Sequence, residues 1–207
     1  EQQGHRFEQT EQQLIVQGAL KAGSYEIDGS ISSQFITGLL FALPLLEQDS
    51  IIHIKPPFES RSYIELTLQM LKTFGVTAEF QDNHTLYIPG NQSYQVCDYT
   101  VEGDYSQMAF YAVLAAIQSD LYCKGITSSS KQILSILEAC NCKIEPKQEG
   151  YLVHKSELTA TEIDLADCPD LGPVLNVLGM YTKGTTRIYH AARLRYKESD
   201  RIAAMEE

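Results

Sequence analysis

Apolar and polar positions along the chain change period in a fixed order. After a polar opening, residues 13–17 and 24–28 read as short strands, punctuated by Gly18 and Gly23. Residues 32–45 then carry apolar side chains at helical spacing, opened by Ser32-Ser33-Gln34 and closed near Pro44. Strand alternation returns over 50–55 (SIIHIK). A loop with Pro56 and Pro57 leads to Ser60 and Ser62, either able to cap a helix over 63–74 that Gly75 stops. Segments 76–80 and 85–88, split by Asp82-Asn83, predict a hairpin.

The same order then recurs. A strand is predicted over 99–102, a helix over 106–117, a strand over 120–125, a helix over 130–140, and a hairpin of 143–145 with 151–154 around Gly150. A third copy begins with strand 162–165, a helix opened by Asp170 and running to 182, strand 185–189 and a helix opening near Lys197. Ser33, Ser106 and Asp170 mark corresponding helix starts, 73 and 64 residues apart. Any α/β protein alternates strand and helix, so the weight of the repeat rests on the hairpin that closes both full copies. The pattern predicts an α/β (α+β) fold of repeated βαβαββ units forming parts of two domains. Residues 1–101 would hold the end of one unit plus one further unit. Residues 102–207 would hold one unit and the start of another. The junction is expected at Val101-Glu102-Gly103-Asp104, where Gly103 can act as a hinge.

Composition narrows the function classes. The 207 residues carry 16 Lys+Arg against 27 Asp+Glu, a net charge of −11. That balance argues against general binding to nucleic acid or to an anionic membrane. No apolar run approaches the roughly 18–20 residues of a membrane-spanning helix. The opening Glu1-Gln2-Gln3-Gly4-His5 has neither the basic nor the apolar region of a signal peptide. Five scattered cysteines (Cys97, Cys123, Cys140, Cys142, Cys168) read as reduced thiols, which predicts a cytoplasmic protein. Cys140 and Cys142 have no further ligand nearby in sequence, so no metal is expected. The chain has no initiator Met and stops inside a predicted helix, which leads to the expectation that it is a piece of a longer protein.

The polar clusters fall where the pattern starts helices. A helix N-terminus offers unpaired N–H groups and the positive end of the helix dipole, so converging ones suit an anionic ligand. Ser32, Ser33 and Gln34 can donate to a phosphate, and Lys197 and Arg201 can neutralise one. Asp170 or Glu198, ionised among such cations, can accept a proton. Each cluster also has an ordinary role. Ser-Ser-Gln and Asp170 are good helix caps, and 193–201 (RLRYKESDR) would make a solvated, ion-paired helix face.

Five segments in order, DGSISSQF (28–35), SRSYIELTLQMLKTFG (60–75), YTVEGDYS (99–106), DCPD (167–170) and RYKESDRI (195–202), resemble the EPSP synthase family, the 3-phosphoshikimate 1-carboxyvinyltransferases. The resemblance spans about residues 14–207. It implies the enolpyruvyl transferase fold, two domains of three βαβαββ units each. The implied reaction transfers the enolpyruvyl group from phosphoenolpyruvate to the 5-hydroxyl of shikimate 3-phosphate, with release of phosphate. It belongs to the shikimate pathway of aromatic amino acid biosynthesis and uses no metal or organic cofactor. Ser32, Ser33 and Gln34 match positions that bind shikimate 3-phosphate, with Gln34 also near phosphoenolpyruvate. Ser60 and Tyr63 match further shikimate contacts. Asp170 matches the acceptor of the 5-hydroxyl proton, and Lys197 a ligand of the shikimate moiety. Glu198 matches the acid that handles the methylene proton, and Arg201 an arginine on phosphoenolpyruvate. A monomer is implied at full length, with no nucleic-acid or membrane partner.

Arg193 departs from the family, which often has Asn or Glu there, and no binding role is assigned to it. The family's N-terminal lysine–serine–arginine set, its asparagine–alanine–glycine segment and its C-terminal arginine and lysine fall outside this chain, so the chain as given is expected to be inactive. The competing readings are a UDP-N-acetylglucosamine enolpyruvyl transferase and a folded, non-catalytic remnant.

Overall fold

A computed structural model describes residues 6–101, 103–125 and 131–207. The features expected at 1–5, at Glu102 and at the helix start Ser130 lie outside the described residues. The chain divides into two compact units, Glu1–Asp98 and Tyr99–Glu207.

In the first unit, β1 (Arg6–Gln9) and β2 (Leu14–Gln17) form an antiparallel hairpin of their own. The remaining elements are β3 (Ser24–Asp28), α1 (Ser33–Ala42) with a 3-10 turn Leu43–Leu45, β4 (Ser50–Lys55), α2 (Arg61–Thr73), β5 (Glu79–Phe80) and β6 (Thr85–Ile88). The sheet order is β3-β4-β6-β5, with β3 parallel to β4 and the other pairs antiparallel. This is one whole βαβαββ unit. Alternation puts Ile52 and Ile54 of β4 and Leu86 and Ile88 of β6 into the core, where Ile36 and Leu40 of α1 and Ile64 and Leu71 of α2 meet them. Each such fully buried aliphatic contributes about 1.5–3 kcal/mol.

The second unit contains α3 (Tyr105–Ile117), β7 (Leu121–Lys124), α4 (Lys131–Ala139), β8 (Ile144–Lys147) and β9 (Gly150–Val153), then β10 (Glu162–Asp164), α5 (Gly172–Met180), β11 (Arg187–Tyr189) and α6 (Arg201–Glu206). Sheet β7-β9-β8 repeats β4-β6-β5, and the parallel pair β10·β11 repeats β3·β4. Alanines 109, 112, 115 and 116 bury one side of α3. Their small side chains let α5 pack closely in one core with Val174, Leu175 and Leu178. Gly150 is fixed by its surroundings, because a Cβ there would lie 1.9 Å from the Cys123 carbonyl oxygen at φ +156°.

Several boundaries differ from the expectation. The strand predicted over 99–102 does not form over 99–101, where Val101 is 82% exposed. The Gly103 N–H still donates to the Gly125 carbonyl at 3.0 Å, as Gly29 donates to Lys55 at the same place in the first unit. Three of the four residues of β7 are exposed, so a strand laid on its free edge would bury little apolar surface. The turn of the second hairpin is Gln148-Glu149, and Gly150 already belongs to β9. Strand β1 was not foreseen, because Phe7 is its single apolar residue.

All five cysteines are free thiols, with Cys97 half-buried and the rest buried. Burial pushes the Cys168 thiol up to about 12, helped by Asp167, Asp164 and Asp170. Since the thiolate is the nucleophile, titration of the native chain with an aromatic disulfide near pH 8 should report one fast thiol, Cys97. All five should react once the chain is unfolded in guanidinium. Rapid native labelling of Cys168 would contradict this packing.

Candidate functional site

Adjacent parallel strands deliver their following loops to the same end of a sheet. In the second unit, β10 leads into the loop that carries Asp170, and β11 leads through a 3-10 turn (Ala192–Tyr196) to Lys197-Glu198-Ser199 and α6. The two loops bring opposite charges together. Asp170 Oδ1 lies 3.3 Å from Lys197 Nζ and 3.2 Å from Arg201 Nη1. Arg201 also donates Nε and Nη2 to the two Glu198 carboxylate oxygens, each at 2.9 Å. Arg201 is the most sheltered of the four side chains, and Glu198 the most exposed, at 21% and 68%. The Arg201 fork holds the Glu198 carboxyl below the usual range, and Glu198 in turn raises Arg201. Asp170, Glu198 and Arg201 border a groove of about 570 Å³ that Asp104, Ser106, Gln107 and Phe110 also line.

In the first unit, α1 and α2 likewise open beyond the parallel strands β3 and β4. Their entry loops are stitched at Gly29, whose N–H donates to the Lys55 carbonyl at 3.0 Å and whose carbonyl accepts from Glu59 N–H at 3.2 Å. A Cβ at Gly29 would lie 2.8 Å from the Pro57 carbonyl oxygen, so the close approach of the loops needs glycine. Ser32 is the N-cap of α1, its Oγ accepting from the Gln34 N–H at 3.3 Å, and Ser33 and Gln34 open the helix. Ser60, 3% exposed and left-handed at φ 55°, stands at the N-cap position of α2, with Tyr63 in the first turn.

The structure thus groups the predicted site residues by unit: Ser32, Ser33, Gln34, Ser60 and Tyr63 in the first, and Asp170, Lys197, Glu198 and Arg201 in the second. Three local expectations are corrected. Asp170 opens no α-helix and caps none; it lies in the 3-10 turn Pro169–Leu171, and its carboxylate turns to Lys197 and Arg201. The final helix opens at Arg201, four residues later than expected, because Asp200 Oδ1 accepts from the N–H groups of Ile202 and Ala203. Lys197 and Glu198 therefore sit on an irregular bend, and 193–201 is no solvated helix face. Helix α2 begins at Arg61, two residues earlier than expected.

In the sequence Asp104 marks the expected junction and belongs to the YTVEGDYS segment, with no capping role assigned to it. It caps α3, accepting from the Ser106 and Gln107 N–H groups at 2.7 and 3.4 Å, and lines the Asp170 groove. The Asp-x-x-Gln spacing of a capping box was the available signal.

The sequence profile of the EPSP synthase (3-phosphoshikimate 1-carboxyvinyltransferase) family matches residues 4–207. A 3-phosphoshikimate 1-carboxyvinyltransferase of Clostridium kluyveri is 45% identical over 196 residues, covering 93% of this chain and 46% of that protein. One of Clostridium perfringens is 44% identical over 206 residues, covering 97% of this chain and 49% of that protein. The chain therefore spans about half the length of the curated relatives it matches. Among solved structures, the EPSP synthase of Acinetobacter baumannii superposes with a TM-score of 0.74 at 23% identity, over 98% of this chain and 49% of that one. The enolpyruvyl transferase NikO of Streptomyces tendae gives 0.70 at 14% identity, over 89% of this chain and 48% of that one. These two likenesses show the mixed α/β enolpyruvyl transferase fold. With the profile matching nearly end to end, this chain belongs to the EPSP synthase family.

Proposed function

We propose that the chain is part of an enzyme that joins phosphoenolpyruvate to the 5-hydroxyl of shikimate 3-phosphate, giving 5-enolpyruvylshikimate 3-phosphate and phosphate. The observation that carries this reading is the Asp170–Lys197–Glu198–Arg201 cluster, two carboxylates and two cations held within a few ångströms on loops at one end of β10·β11. Addition needs a base at the attacking hydroxyl and a proton at C3 of phosphoenolpyruvate. Asp170 takes the hydroxyl proton as the oxygen attacks C2, and Glu198 delivers the proton to C3. In the elimination that follows, Glu198 recovers a proton from C3 as the C–O bond to phosphate breaks, and the leaving phosphate takes up the proton that Asp170 accepted. Lys197 and Arg201 offset charge on the shikimate moiety and on phosphoenolpyruvate.

The Arg201 fork gives this sequence a trigger. Without substrate it is spent on Glu198, which holds that carboxyl below its ordinary range. An incoming phosphate or carboxylate competes for the fork, and a Glu198 released from it regains affinity for the proton that C3 needs. In the first unit, Ser32, Ser33, Gln34, Ser60 and Tyr63 are assigned to shikimate 3-phosphate, with hydroxyls and an amide as donors to its phosphate. The free thiols, and the absence of any helix long and apolar enough to cross a membrane among the described residues, support a cytoplasmic setting. We further assign the complete enzyme to a monomer.

The test uses a chimera in which these 207 residues replace the matching segment of a full-length relative. Arg201→Ala should raise the KM for phosphoenolpyruvate about tenfold to a hundredfold, the loss of one charged hydrogen bond of about 1.5–3 kcal/mol. Arg201→Lys should recover only part, since an ammonium cannot form the fork. An unchanged KM, or use of UDP-N-acetylglucosamine in place of shikimate 3-phosphate, would overturn the assignment.

A further inference from the structure

We propose that Arg193 is a positioning residue, fixing the loop that carries Asp170 against the segment that carries Lys197, Glu198 and Arg201. Arg193 Nη2 donates to the carbonyl of Ala166 at 2.7 Å, in a partly buried setting four residues before Asp170. The N–H of the same Ala166 donates to Asp164 Oδ1 at 2.8 Å, and His190 Nδ1 lies 2.9 Å from that oxygen. Ala166 is thereby held on both its carbonyl and its amide. The next residue of the Arg193 turn grips the loop from the other side of Asp170. Leu194 is 1% exposed, and its Cδ1 would lie 2.6 Å from a Cβ built on Gly172. One short turn therefore clamps the Asp170 loop before and after the carboxylate, and the same turn runs directly into Lys197.

The residue type fits this task better than the Asn or Glu that the resemblance puts at this position. Reaching a carbonyl across two loops takes a long side chain with a donor at its tip. An ionised Glu has no donor, and an Asn amide sits close to its own backbone. The positional claim stands on geometry alone, while its catalytic consequence rests on the function proposed above.

The first arm of the test is amide hydrogen exchange on the 207-residue chain with Arg193→Gln and Arg193→Lys. In Arg193→Gln the amides of Ala166, Cys168 and Leu171 should exchange at least about tenfold faster while those of the β8–β9 hairpin keep their protection. Arg193→Lys, which retains one donor of similar reach, should restore part of the loss. Equal loop exchange in Arg193→Gln and the unsubstituted chain overturns the proposal. So does a loss of protection that spreads to the hairpin in both variants, because Arg193 would then support the whole unit rather than one loop. The second arm is kinetic, in the chimera. Misplacing Asp170 should lower kcat about tenfold to a hundredfold with the KM for phosphoenolpyruvate within about twofold, the reverse of Arg201→Ala. Unchanged kcat in an active chimera overturns the proposal as well. An unsubstituted chimera that turns over nothing counts against the proposed function instead, and leaves the exchange result to decide on Arg193.

Discussion

The purified 207-residue chain should release phosphate from phosphoenolpyruvate and shikimate 3-phosphate at least about a thousandfold more slowly than a full-length enzyme carrying the same segment. The two substrates bring two phosphates and two carboxylates to a chain of net charge −11. The cations of the cluster are few and already engaged, with Lys197 and Arg201 on Asp170 and the Arg201 fork on Glu198. Resemblance to the family places further lysines and arginines in the half that this chain does not span. Lacking three charged contacts of about 1.5–3 kcal/mol each raises the barrier by roughly 5–9 kcal/mol, a factor of about 10³–10⁶. A coupled phosphate assay on the chain beside the chimera reads the difference. Turnover within tenfold of the chimera would mean that the residues carrying the reaction have been misassigned.

Asp170→Asn in the chimera should lower kcat about a hundredfold to ten-thousandfold, the usual worth of a positioned proton acceptor. The substitution keeps the shape and removes the negative charge, so Lys197 and Arg201 lose their common carboxylate partner and become freer to meet anions. The KM for both substrates should therefore stay level or fall. This separates Asp170 from Arg201, whose loss acts on KM. A raised KM with unchanged kcat would make Asp170 a binding group and leave the base unidentified.

How far the sequence carried the fold depended on where apolar residues dominate. The spans expected for β3, β4 and β6 match the structure to the residue, because each alternates between a core face and an outer face without interruption. β1 escaped notice, since its pairing with β2 rests on backbone bonds and a turn at Thr10, whose Oγ1 accepts from the Gln13 N–H. The start of α6 was placed early because Lys197-Glu198-Ser199-Asp200 offers two capping side chains and no apolar residue to set the phase. At the site, residue types and motif order pointed to the family, while the contacts stayed hidden. Asp170 looked like a cap, and only the tertiary fold shows its carboxylate turned to the cations of another loop. Glu198 and Arg201 stand three apart, a spacing that could have announced their pairing. Arg193 could not have been read at all, because a backbone carbonyl has no signature in sequence.

The central claim is tested most directly by following the chimera with both substrates by ³¹P NMR. The account predicts that phosphoenolpyruvate and shikimate 3-phosphate disappear together, with one inorganic phosphate and one enolpyruvylshikimate 3-phosphate formed for each pair consumed. Phosphate released without loss of shikimate 3-phosphate, or no change in either substrate while the chimera is folded, would contradict it.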